Sequence, residues 1–165
     1  MKKHREKTVT MSEIMTPNMA NFTGNVHGGY LLGFLDKVAY ACAARYSGKP
    51  CVTLSVDNVF FKEPIHVGEL VTCLASVNYV GRTSMEIGIK VVAEDIKTGI
   101  ERHTNTCYFT MVAIDETTKR PTRLAELHLE TATDKRRFTE GKMRKELRLS
   151  LTRAHQERKL GEQED

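Results

Sequence analysis

The stretch Gly28-Gly29-Tyr30-Leu31-Leu32-Gly33-Phe34-Leu35-Asp36-Lys37-Val38-Ala39-Tyr40-Ala41-Cys42-Ala43-Ala44 decides the reading of this chain. It is rich in helix formers and nearly free of charge, and a helix apolar on all sides is a buried one. The expected helix runs from about Val26 to Tyr46 and stops at Ser47-Gly48-Lys49-Pro50, a glycine cap with a proline behind it. Asp36 is the exception inside the run. A buried carboxylate is costly unless it is paired or used, and desolvation moves such a group toward proton transfer. The paired glycines at the start let a ligand approach the free N–H groups of a helix N-terminus. One acid and one set of N–H donors on a single helix suggest acyl chemistry.

Four strand-like segments follow. Cys51 to Phe61 alternates, with Val52, Leu54, Val56 and Phe60 on one side and Thr53, Ser55 and Asp57 on the other. Leu70 to Val80 aligns Val71, Cys73, Ala75, Val77 and Tyr79. Thr83 to Ala93 aligns Met85, Ile87, Ile89, Val91 and Ala93 against Ser84, Glu86 and Lys90, and Arg102 to Ile114 is rich in Thr, Tyr and Phe. Residues 8 to 15 supply a first strand, ended by Pro17. Short turns at His66-Val67-Gly68-Glu69, Gly81-Arg82 and Lys97-Thr98-Gly99 join them as an antiparallel meander. No other segment before residue 120 has a helical pattern. The expected architecture is α+β: a curved antiparallel sheet wrapped around one long central helix, with two such sheets able to join edge to edge.

The chain has 165 residues and a formal charge of +4. From Lys119 onward there are 13 basic and 9 acidic residues, leaving twelve of each sign before it. The body is neutral, which argues against a nucleic-acid partner. The expected division is a folded domain over 1–120 and a charged, partly helical, partly disordered tail over 121–165. In that tail Arg123–Glu130 and Lys142–Lys159 are loosely amphipathic, and Met143, Leu147, Leu151 and Ala154 form a stripe. Deletion of residues 140–165 is expected to leave most activity intact. No apolar run approaches the ~20 residues of a membrane span, and the basic opening Met1–Lys7 is not followed by the apolar core of a signal peptide, so no membrane partner is expected. The cysteines, Cys42, Cys51, Cys73 and Cys107, form no paired motif and read as buried thiols of a cytoplasmic protein. Histidine spacing supports no metal site, and neither a phosphate-binding glycine loop nor a serine-hydrolase elbow is present.

The segment Asn21-Phe22-Thr23-Gly24-Asn25-Val26-His27-Gly28-Gly29, continued to Asp36, resembles the signature of hotdog-fold acyl-CoA thioesterases of the YciA and cytosolic acyl-CoA hydrolase type. Two later pieces are similar to the same family: Ser55 to Glu69, with Asp57, Phe60, Pro64 and Gly68, and Val80-Gly81-Arg82-Thr83-Ser84-Met85. The resemblance spans residues 8 to about 115. It implies hydrolysis of fatty acyl-CoA to a free fatty acid and coenzyme A, with coenzyme A as part of the substrate and no separate cofactor. It also implies a homo-oligomer, a dimer at minimum and a hexamer built as a trimer of dimers, in which one site takes its asparagine and aspartate from different subunits.

On that reading Asp36 is general base or nucleophile, and Asn21 positions the water or the thioester carbonyl. The N–H groups of Gly28 and Gly29 face the oxyanion. His27 has a positioning or structural role, since an apolar residue is common there in the family. Gly81, Arg82, Thr83 and Ser84 offer N–H groups, hydroxyls and a guanidinium to the phosphates of coenzyme A. Asp57 either touches the ligand or faces solvent. Two alternatives stay open: an acyl-CoA sensor or regulatory module without turnover, and a hotdog hydroxyacyl-thioester dehydratase. The nine-residue spacing of His27 and Asp36 fits the dehydratase poorly.

Overall fold

The computed structural model describes residues 5–161; the basic opening Met1 to His4 and the last four residues lie outside it. The chain divides into two compact units, the first ending at Glu126 and the second beginning at Leu127. The first unit holds β1 (Thr8–Ile14), α1 (Gly28–Ser47), β2 (Cys51–Val56), β3 (Leu70–Val80), β4 (Ser84–Asp95) and β5 (Ile100–Ala113). The strands form one antiparallel sheet in the order β1-β3-β4-β5-β2, so β1 and β2 are its edges. α1 lies against this sheet and touches all five strands. The hotdog architecture expected from the sequence is present.

The core follows the period-2 pattern. Val71, Cys73, Ala75 and Val77 of β3, Met85, Ile87, Ile89, Val91 and Ala93 of β4, and Cys107, Phe109, Met111 and Ala113 of β5 are buried. They pack with Leu31, Phe34, Leu35, Val38, Ala39, Cys42 and Ala43 of α1, each large side chain contributing roughly 1.5–3 kcal/mol of burial. α1 begins two residues later than expected and ends at Gly48, whose φ of 65° is the left-handed cap conformation and whose N–H donates to Ala44 O.

Several expectations need correction. α1 is not buried all round: Gly29, Leu32, Gly33, Asp36, Lys37 and Tyr40 form an exposed stripe. The sheet covers one side of the helix, and the residues left on the open side are themselves mostly apolar or small, so composition does not mark the face. β2 ends at Val56 rather than at Phe61, and Val52, Leu54, Val56 and Phe60 are exposed, because the strand is an edge. Tyr79 leaves the inner face because Asn78 bulges out of the β3–β4 register and takes a buried place itself. Gly88 on β4 makes room for that bulge; a Cβ there would overlap the Asn78 amide. Glu86, expected outward, is only 1% exposed. A single 3-10 turn at Pro17–Met19 also escaped the periodicity, being shorter than one period.

The first unit continues past residue 120 because its chain is pinned there. Thr122 N donates to Ala113 O and Leu124 N to Arg82 O, and the Tyr46 hydroxyl donates to the carbonyls of Ala125 and Glu126. Arg123–Glu130 contributes no helix; in the second unit α2 spans Ala132–Gly161. Its start is a reciprocal cap. Asp134 N donates to Thr131 Oγ1 at 3.0 Å, and Asp134 Oδ2 accepts from the N–H groups of Thr131 and Glu130. The stripe of Met143, Leu147 and Leu151 is exposed. Among the described residues no helix is long and apolar enough to cross a membrane.

Candidate active site

Asn21 opens the loop that leads into α1. Its backbone N–H donates to Asn25 O at 2.6 Å, closing the loop, and Gly24 at its tip has a φ of 83° that favours glycine. The loop is tied down by Val26 N donating to Ile65 O and His27 N to Met19 O, both 2.8 Å. The side chain of Asn21 is aimed by three donors. Its Oδ1 accepts from Thr23 N at 2.9 Å, Thr23 Oγ1 at 2.8 Å and Asn25 N at 3.2 Å. With the carbonyl end saturated, the amide presents Nδ2 as a donor.

His27 is the N-cap of α1. Its ring Nδ1 accepts from Gly29 N at 2.9 Å, so the Gly29 N–H is engaged within the chain. A Cβ on Gly29 would stand 2.9 Å from the His27 ring, which explains the glycine there as room for the cap. No hydrogen bond takes up the Gly28 N–H among the described residues. It lies at the N-terminus of a 20-residue helix, where the dipole favours negative charge. A cavity of about 340 Å³ adjoins it, lined by Asn21, Asn25, Gly28, Leu31, Ile65 and Thr104 among others.

Asp36 lies eight residues further along α1 and lines a different cavity, of about 380 Å³, with Leu32, Val56, Asp57, Val59, Phe61 and Phe109. Contrary to the expectation of burial, its side chain is on the open face of the helix. Thr53 of β2 donates its hydroxyl to Asp36 Oδ1 at 2.5 Å, and among the described residues no hydrogen bond takes up Oδ2. Thr53 was not singled out in the sequence, where it is one hydroxyl among several on the polar side of a strand; only the crossing of β2 over α1 reveals its partner. Phe61, likewise unremarked, lines both cavities. Asp57 is brought beside Asp36, its backbone N–H bonded to Tyr108 O at 3.0 Å.

The Gly81–Ser84 loop is not brought to either cavity of this chain. It closes the β3–β4 hairpin, Gly81 N donating to Ser84 O at 2.8 Å, at the opposite end of β3 from the His66 turn that meets the Asn21 loop. Arg82 is exposed. The wall of the Asn21 cavity is braced by Arg102, which donates to Glu69 at 2.6 Å and to Glu63 at 3.0 Å. Those two carboxylates hold its guanidinium more firmly protonated than usual. Burial pushes the thiols of Cys42, Cys73 and Cys107 up to about 12, so none is a nucleophile near neutral pH. Among the described residues no group of His, Cys, Asp and Glu is arranged to hold a metal ion.

Residues 23–100 match the family model of the thioesterase superfamily. Protein VdlD of Helicobacter pylori is 54% identical over 138 residues, 84% of this chain and 78% of that protein. The chain belongs to the thioesterase superfamily. It is a hotdog-fold acyl-CoA thioesterase, an enzyme of the thioester hydrolase class. Among solved structures, the thioesterase superposes on an acyl-CoA hydrolase from Bacillus cereus with a TM-score of 0.83 at 30% identity, covering 92% of this chain and 91% of that one. It superposes equally, with a TM-score of 0.83 at 30% identity, on a protein described as an apo-hexameric acyl-CoA thioesterase, covering 88% of this chain and 92% of that one.

Proposed function

We propose that the enzyme hydrolyses fatty acyl-CoA in a site assembled from two copies of the chain, Asn21 and Gly28 coming from one and Asp36 from the other. One observation carries this reading: the two groups line separate cavities of a single chain. Eight residues of helix separate Gly28 from Asp36, roughly 12 Å of rise. A water activated by Asp36 cannot attack a carbonyl held at Gly28 across that distance, since reacting atoms must come within about 3–3.5 Å. A second copy laid on the open face of α1 removes the gap. That face is suited to it, carrying exposed Leu32 and Tyr40 beside an edge strand with exposed Val52, Leu54 and Val56.

In this site the thioester carbonyl accepts from Asn21 Nδ2 and the Gly28 N–H, and the Gly29 N–H stays with His27. Asp36 Oδ2 takes a proton from water as the water oxygen adds to the carbonyl carbon, or itself adds as nucleophile to give a mixed anhydride that water then opens to the fatty acid. The tetrahedral oxyanion gains charge where the two donors already point, which is where preorganised dipoles lower a barrier most. Its collapse breaks the C–S bond and releases coenzyme A as a thiolate. A thiol is acidic enough that its anion leaves without a dedicated acid. The apolar lining of Leu32, Val56, Val59, Phe61 and Phe109 suits an aliphatic acyl chain. Phosphates of coenzyme A held by Arg82, Thr83 and Ser84 would then reach the site from a neighbouring copy. The neighbour described as hexameric supports a trimer of such dimers. Four free, buried cysteines suit the reducing cytoplasm.

The test is hydrolysis of acyl-CoAs of rising chain length by wild type and Asp36→Asn, following thioester absorbance directly. Turnover by wild type that falls at least about a hundredfold in a folded variant is the expected result. Tight acyl-CoA binding without turnover by wild type would overturn the assignment in favour of a sensor.

A further inference from the structure

The donors that aim Asn21 all come from its own loop, from Thr23 and Asn25. Phe22, Thr23 and Gly24 are exposed, so the tip of the loop, unlike its Val26–His27 end, has little packing to hold it. An amide aimed only from within such a loop turns whenever the loop turns. Among the described residues one side-chain hydrogen bond joins this loop to the turn that precedes β3: His66 Nδ1 and Asn25 Oδ1 are 2.9 Å apart. The same two residues form an isolated antiparallel bridge. Asn25 Nδ2 is directed at Thr23 Oγ1, at 3.3 Å, so its Oδ1 is the acceptor and His66 Nδ1 carries the donated proton.

His66 is itself immobilised. Its backbone N–H donates to Glu69 Oε2 at 2.8 Å, and Glu69 Oε1 receives the Arg102 guanidinium at 2.6 Å. Glu69 is only 7% exposed. Arg102 also donates to Glu63 Oε2 and Pro64 O, on the wall of the same cavity. A rigid salt-bridged turn at the mouth of β3 thus reaches the Asn21 amide through two connections, the His66 ring to the Asn25 side chain and the Asn25 backbone to Asn21 Oδ1. We propose that His66 is a positioning residue that acts through Asn25 to hold Asn21 Nδ2 against the reacting carbonyl. The inference rests on Asn21 being an oxyanion donor. His66 touches no reacting atom, and its contribution is the angle of another side chain.

The distinguishing measurement is steady-state kinetics of His66→Ala, Asn25→Ala and His66→Gln in the full-length protein, each also combined with Asn21→Ala. Misplacement of a reacting group by about 1 Å costs up to a hundredfold. His66→Ala and Asn25→Ala are expected to lower kcat about tenfold with KM little changed, and His66→Gln, whose amide still donates, to recover part of it. In the Asn21→Ala background neither substitution should cost anything more, because residues acting through a shared partner are not additive. Full activity of His66→Ala beside a disabled Asn21→Ala overturns the positioning role alone, as does a loss that multiplies in the double variant. Full activity of Asn21→Ala removes the oxyanion assignment and the positioning role with it. Asn25→Ala, which keeps the backbone donor to Asn21, provides the same comparison should His66→Ala fail to fold.

Discussion

One oxygen of the Asp36 carboxylate is occupied by the Thr53 hydroxyl at 2.5 Å, and that contact sets the rotamer in which the other oxygen is free. Thr53→Val should therefore lower kcat about tenfold while Thr53→Ser retains most of it; equal kcat for the valine variant would show that Asp36 needs no such support. Mass spectrometry of enzyme quenched during a single turnover separates the two roles open to the carboxylate. A nucleophile carries the acyl group on Asp36 as a mixed anhydride, whereas a general base carries no added mass. Asp36 was legible in the sequence as an acid in an apolar helical run, whereas Asn21, one amide in a polar loop, was legible only through the family resemblance. Thr53 was not, since hydroxyls are ordinary on a strand, and its meaning comes from a partner 17 residues away. The glycine pair, read as one donor set, divides: Gly29 makes room for the His27 cap, and Gly28 keeps its N–H.

At the scale of elements, β2 is the informative case. Its alternation is real, yet its apolar residues face outward because the strand is an edge, and Leu54 is 68% exposed. A long apolar edge is normally blunted by charge. Leu54→Lys supplies that charge, and the expected outcome is a smaller assembly by analytical ultracentrifugation together with loss of hydrolysis; an unchanged assembly would exclude β2 from the contact. The bulge at Asn78 shows why strand pattern runs out within a strand. One inserted residue reverses every later side chain, so Tyr79 leaves the core while the printed alternation continues. In α2, the start was legible in Thr131 and Asp134 as a capping box, a stronger signal than the amphipathic stripe used to locate it.

For the whole molecule the decisive question is whether one site spans two chains. Co-expression of Asn21→Ala with Asp36→Asn answers it. A mixed pair then contains one intact site and one doubly damaged one, so random pairing returns about a quarter of wild-type activity from two inactive parents. No recovery would confine the site to a single chain.

The α+β class, the central helix and the inward rows of β3 and β4 were determined by the sequence alone. They depend on local periodicity and on short-range composition, and both are written residue by residue. The open side of α1, the exposure of Asp36, the outward face of β2 and the partnership with Thr53 were decided only by the tertiary structure. Each depends on which surface the sheet leaves uncovered, a property of how far five paired strands reach around a helix. An apolar residue reads the same in sequence whether its own sheet or a second copy of the chain is to cover it.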